Sequence, residues 1–221
     1  MRHWFWLPQL FTCSFFISTI IAQPLQAENG IAHDLMPTAI QFMKFCGHRV
    51  IVKDNHRSFN WADFTVTMMD YTPSGLYMQD SDQKNINQTE MDVSSMVDKI
   101  VSYLHDYYNI LPDVSELRAV ILTTFTDLKE ANQSGWADFY KESSATNSSF
   151  EYRVVFTRPQ PKTTDSFFGI VMTILLTADI VTESSWWGLE SSTMQNFGAM
   201  ITSMEIGIDK GFKDPGPGPI V

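Results

Sequence analysis

The sequence predicts an α+β fold, a mainly antiparallel sheet packed by helices in one domain. Three observations carry that expectation. Helix-period apolar stripes come before the long period-two runs. No β-α-β alternation and no internal repeat occurs along the 221 residues. With 44% apolar, 18% charged and 13% aromatic residues, the composition is that of a globular chain and excludes disorder or a coiled coil as the main architecture.

Residues 1–27 read as an export signal. Arg2 and His3 precede an apolar run from Trp4 to Ala22, and Pro24-Leu25-Gln26-Ala27 offers a small residue at its exit. This pattern describes a secretory signal peptide cut after Ala27, so the chain is expected to be secreted. Pro8 and Gln9 interrupt the run and argue against a retained anchor helix. Cleavage removes Cys13 and leaves Cys46 alone, so stability has to come from the core and not from a disulfide. Cys46 lies on an apolar helical pattern and reads as a buried, inert thiol.

The main domain is expected over 28–210. Leu35 to Cys46 reads as a short helix, with Pro37 in its first turn and Gly47 closing it. From Val50 to Asp80 the pattern is strand-like, because Phe64, Val66 and Met68 alternate with Thr65, Thr67 and Met69. Asp80 to Glu90 reads as a polar loop. Val93, Met96, Val97, Ile100, Val101, Leu104, Tyr107 and Tyr108 then repeat at three and four residues, one stripe of an amphipathic helix. Pro112 breaks it, and Val114, Leu117, Ile121, Phe125 and Leu128 form a second stripe, which makes a helical hairpin.

A short helical piece is expected around Trp136 to Tyr140. After it the period becomes two: Phe150, Tyr152, Val154 and Phe156 share one face. Ser166 to Val181 is a long strand candidate, beyond the usual length of about five or six residues. One of its faces carries Phe168, Ile170, Met172, Ile174, Leu176, Ala178 and Ile180 without a polar member. Met194 to Ile208 reads as a partner of similar length, bearing Met200 and Met204. Residues 211–221, rich in Pro and Gly, read as a disordered tail with no core to join.

Charge and motifs narrow the function classes. Fifteen basic against twenty-five acidic residues is the wrong balance for a protein that neutralises phosphates, so no nucleic-acid partner is expected. His33, His48, His56 and His105 have no companions at zinc-ligand spacing, and Asp80 to Asn85 lacks the glycine and distal glutamate of a calcium loop. A phosphate loop and a nucleophile elbow are both missing. We therefore expect no catalytic residues, metal or cofactor, and no enzyme.

One ordered set of residues resembles a known family. Thr124-Phe125-Thr126-Asp127-Leu128 is followed by Trp136-Ala137-Asp138-Phe139-Tyr140-Lys141-Glu142, then by Asn147-Ser148-Ser149-Phe150-Glu151-Tyr152-Arg153-Val154-Val155-Phe156. This order is similar to that of the cytolytic delta-endotoxins, the Cyt family, with Trp136, Phe139, Lys141, Glu142, Tyr152 and Phe156 at the matching positions. The resemblance covers roughly Met36 to Ile208 in layout and is specific at residue level over about Asn85 to Phe156. It implies a three-layer α/β/α domain in which helical hairpins wrap an antiparallel sheet. It also implies a toxin that binds membrane phospholipid and lyses cells by pores or detergent-like disruption. The export signal departs from family members that are laid down as intracellular crystals.

The residues suit such a mechanism. A tilted membrane-spanning strand takes about nine to eleven residues, and both long C-terminal strand candidates exceed that. Phe168, Ile170, Met172, Ile174, Leu176, Met200 and Met204 are expected to insert, with Trp186 and Trp187 as anchors at headgroup level. Val97, Ile100, Leu104, Leu117, Ile121 and Phe125 would form the helical cover. Open strand edges in hydrocarbon cost several kcal/mol per unpaired group, which favours self-association on the membrane. The alternatives are a non-lytic secreted lipid-binding protein of the same fold and a secreted adhesion module, with a hydrolase the least supported.

Overall fold

The computed structural model describes residues 31–53, 56–70, 75–108, 114–126, 137–141, 146–190 and 192–217. A five-stranded antiparallel sheet forms its centre. In chain order the elements are α1 (Met36–Gly47), β1 (Val50–Lys53), β2 (His56–Phe59), α2 (Trp61–Asp70), β3 (Leu76–Asp92) and α3 (Val93–Tyr108). After these come α4 (Val114–Thr126), β4 (Ala137–Lys141), β5 (Ser148–Pro159), β6 (Ser166–Ala178), the single turn α5 (Glu183–Trp186) and β7 (Met194–Asp209). The strand order is β3-β7-β6-β5-β4, and β1 and β2 make a separate hairpin. Helices cover both sheet faces, as a three-layer α+β fold requires.

Each face of the sheet builds its own core. On one face, Val97, Ile100 and Leu104 of α3 and Ile121 and Phe125 of α4 pack on Phe150, Tyr152, Ile170, Met172, Ile174 and Leu176. On the other, Phe42, Phe45 and Cys46 of α1 and Phe64 and Met68 of α2 pack on Phe167, Val171, Met204, Ile206 and Ile208. The Cys46 thiol is buried, and that burial pushes its pKa well up, in keeping with an inert role.

Four segments differ from the sequence reading. Trp61–Asp70 is helical, not extended. The Asn60 side-chain oxygen accepts the Asp63 N–H at 3.1 Å, an N-cap. Phe64 and Met68, four apart, supply the buried stripe while Val66 and Met69 face solvent. The β-branched Thr65, Val66 and Thr67 mimicked a strand, and tertiary burial overrode them.

Leu76–Asp92, read partly as a polar loop, is a seventeen-residue edge strand paired along its length with β7. Its register shifts between Met78 and Asp80 and between Gln88 and Met91, and Glu90 in the second shift has φ 51°. Polar side chains and bulges are what an exposed edge needs to resist pairing with another chain. The hydrophobic alternation that marks a covered strand is therefore absent.

Ala137–Lys141, expected within a helical piece, pairs as a strand with β5, from Ala137 opposite Tyr152 to Lys141 opposite Ser148. Five residues are too few to show a reliable period, and the sheet edge decides their conformation.

The start of the C-terminal tail has a core to join. Phe212 is buried against Phe45, with ring centroids 5.8 Å apart, and the Gly211 N–H donates to Thr38 Oγ1 at 3.1 Å. His48 Nδ1 and Asp214 lie 2.9 Å apart. One aromatic residue outweighs the surrounding Pro/Gly composition, because its burial removes a large apolar area from water.

Candidate functional site

The face of β5, β6 and β7 beneath α3 and α4 is the candidate site. Strands present alternate residues to opposite faces, so the unbroken β5–β6–β7 register assigns each side chain to one side. The rows Phe150–Leu176–Ala199, Tyr152–Ile174–Ile201 and Val154–Met172–Ser203 lie under α3 and α4, followed by Phe156–Ile170–Glu205 and Arg158–Phe168–Gly207. Ile170, Met172, Ile174 and Leu176 are fully buried.

Of the expected inserting residues, five share this face and two do not. Phe168 sits at its polar end, with the Arg158 guanidinium 4.4 Å above its ring. Met200 and Met204 project from the opposite face, opposite Leu175 and Val171 in the register. Met204 belongs to the core under α1 and α2, whereas Met200 is 38% exposed. The β6–β7 register sets even-numbered residues of β6 opposite odd-numbered residues of β7, so Met200 and Met204 share the other face of the sheet.

The expected cover residues Val97, Ile100, Leu104, Ile121 and Phe125 are all fully buried against this face. Leu117 lies in α4, and its side chain is outside the described residues. Arg118 fixes the hairpin of α3 and α4 by donating to Asp98 at 2.6 Å and to Ser94 Oγ.

Trp186 is a core residue, 0% exposed, and its indole N–H donates to Ser148 Oγ at 2.8 Å. The Ser148 hydroxyl in turn donates to the Ile180 carbonyl. Trp187 is half-buried, its ring 6.0 Å from that of Phe150. Neither indole projects from the described form as a headgroup anchor does. Among the family-matching positions, Tyr152 and Phe156 are buried in the core, and Phe139 and Lys141 pair within β4 with Phe150 and Ser148. Trp136 and Glu142 lie outside the described residues.

A polar clasp ties the cover to the sheet, and the sequence reading missed it. Tyr108 donates to Ser203 Oγ at 2.6 Å, and Tyr103 donates to Asp82 Oδ2 at 2.8 Å while lying 3.2 Å from Ser203 Oγ. Burial is the main reason that both phenol pKa values rise, so each stays a donor through the physiological range. The available signal was Tyr103, Tyr107 and Tyr108 together at the C-terminal end of one helix, three hydroxyls where a plain core stripe would use aliphatic residues. Beside the clasp, an open groove of about 770 Å³ between β3 and α3 is lined by Asp82, Lys84, Asp98, Lys99, Tyr103 and Tyr107.

Among the described residues no helix is long and apolar enough to cross a membrane, and no group of His, Cys, Asp and Glu could hold a metal.

The sequence model of the Bacillus thuringiensis toxin family matches residues 24–203. The chain belongs to this toxin family. A similar curated member is the type-1Aa cytolytic delta-endotoxin of Bacillus thuringiensis subsp. morrisoni, 24% identical over 139 residues that cover 62% of this chain. The chain spans about half of that relative's length, 51%. Two solved toxin structures share the fold. A delta-endotoxin gives a TM-score of 0.67 at 12% identity, covering 82% of this chain and 79% of its own. The activated Cyt2Ba monomer of Bacillus thuringiensis subsp. israelensis gives 0.66 at 12% identity, covering 83% and 96%. The α+β layering of this toxin-family chain is thus a shared architecture, and its apolar sheet face lies inside the matched span.

Proposed function

We propose that the protein is a secreted, membrane-active cytolytic toxin whose α3–α4 layer moves aside at a phospholipid bilayer. One observation carries this reading: a continuous apolar face on three long antiparallel strands is closed by two helices and a clasp at one end. The relative described as a cytolytic delta-endotoxin supports it.

The energetics limit the mechanism. Burying Ile170, Met172, Ile174 and Leu176 in lipid is worth roughly 1.5–3 kcal/mol each against water. These side chains are already buried under α3 and α4, so the net gain on insertion is far smaller. A monomer inserted with free edges on β3 and β4 would leave backbone N–H and C=O groups unpaired at several kcal/mol apiece. Insertion therefore calls for several chains that close their edges against one another into a pore. Trp187, half-buried beside exposed Gly188, is the better placed indole for the interface once the cover moves.

Release of a trapped dye from neutral phospholipid vesicles tests the proposal. Release that rises steeply with protein concentration is expected; sealed vesicles at micromolar protein would end the lytic reading.

A further inference from the structure

The sheet has two unlike faces over the same stretch of strand. Opposite the apolar rows lie Ser149–Thr177–Gly198, Glu151–Leu175–Met200 and Arg153–Thr173–Thr202, in unbroken register across β5, β6 and β7. The first core face needs two helices to keep it dry. These polar rows are in part already wet: Leu175, Thr177 and Thr202 are half-buried and Met200 is exposed. Their charges are matched within the sheet, since Arg153 and Glu151 form an ion pair at 3.0 Å. Ser149, Arg153 and Thr173 in these rows are buried, and β2 and the start of α2 supply polar contacts to the rows. The Phe59 N–H donates to Glu151 at 3.2 Å, Arg153 donates to the Arg57 carbonyl, and the Trp61 indole donates to Thr173 at 3.1 Å.

A strand in a bilayer cannot turn an arginine or a glutamate toward lipid without heavy cost, and period-two alternation sends neighbours to opposite sides. Arg153 and Glu151 therefore fix the orientation of β5, and the register carries it to β6 and β7. Glu205 stands at one end of the apolar face, paired with Arg158 at 2.6 Å, where the lipid-facing stretch has to stop.

We infer that in the membrane the face vacated by α3 and α4 meets lipid, while the opposite face, through Glu151, Arg153, Thr173 and Thr202, lines the aqueous path and sets its ion preference. This assignment rests on the pore-forming reading above. It also removes a difficulty with the methionines, because Met200 then lies on the water side and takes no part in lipid contact.

Planar bilayers of neutral phospholipid, with the mature chain and a potassium chloride gradient, provide the test. Arg153→Gln removes a positive charge from the path and should raise the potassium-to-chloride permeability ratio about two-fold or more; Glu151→Gln removes a negative one and should lower it by a similar factor. Cysteine variants give a second reading that does not depend on those charges. In a Cys46→Ala background, a charged water-soluble thiol reagent should alter the current of Thr173→Cys and leave Met172→Cys unaffected. Absence of any conductance in the unmodified chain would remove the pore reading itself. Conductance with an unchanged permeability ratio, or with the reagent acting at Met172→Cys and not at Thr173→Cys, would overturn the face assignment alone.

Discussion

Tyr108, in the last turn of α3, donates its phenolic hydrogen to Ser203 in the middle of β7 across 2.6 Å. The bond crosses the boundary that the proposed mechanism has to open. Tyr108→Phe keeps the ring and removes the donor, while Ser203 retains Tyr103 and the Asp82 carbonyl as neighbours. The variant is expected to lose about 0.5–1.5 kcal/mol in urea unfolding. It should also release vesicle dye faster than the parent at equal concentration. Slower release at reduced stability would show that the clasp does not limit cover displacement.

Asp92 governs the other end of α3. Its carboxylate accepts the Ser95 N–H at 2.6 Å, and that bond, with help from the Ser95 hydroxyl, holds its pKa below the ordinary carboxylate value. A depressed folded pKa contributes stability that is present above the unfolded value of about 3.9 and is lost as pH falls through the folded one. Asp92→Ala is therefore expected to lower the thermal midpoint at neutral pH, and the difference from the parent should vanish in strong acid. A midpoint difference that stayed constant from neutral to strongly acid pH would contradict the capping role.

Gly207 gives a packing test. A methyl group there would lie 1.9 Å from Tyr77 Cζ, because the Tyr77 ring rests on the β7 backbone. Gly207→Ala has to push that ring aside and break the 2.9 Å bond from the Tyr77 hydroxyl to Gln160. Destabilisation of about 1–3 kcal/mol is expected, the usual cost of overpacking. A neutral result in chemical denaturation would mean that the β3–β7 edge yields easily.

Phe212 tests whether the C-terminal segment belongs to the domain. Its buried ring packs on Phe45 beneath α1. Phe212→Ala should cost about 3–5 kcal/mol, as large-to-small changes at buried aromatics do. Equal stability of Phe212→Ala and the parent would return the segment to the status of a tail.

The parts of the fold legible from sequence were those with a strong apolar period. The stripe through Val93, Val97, Ile100 and Leu104 marks α3, and the two-residue alternation through Phe150 and Phe156 and through Ile170 and Leu176 marks β5 and β6. Where tertiary partners decided the outcome, period failed. β3 is extended because β7 pairs with it, although its own side chains are mostly polar and exposed. α2 is helical because Asn60 caps it and Phe64 and Met68 find a core. The candidate face was visible as the even-numbered residues of β6. The clasp was hidden, since Asp82 and Ser203 meet Tyr103 only through a strand pairing between residues far apart in sequence. The place of Trp186 was equally unreadable, because its indole finds Ser148 across thirty-eight positions.

Hydrogen–deuterium exchange on the full chain, with and without neutral phospholipid vesicles, addresses the movement of the cover directly. Peptides from α3, residues 93–108, are expected to lose protection when vesicles are added, while β5, β6 and β7 stay protected as their backbone bonds persist. Dye release with α3 as protected as in solution would contradict the account, because the apolar face would then never have met lipid.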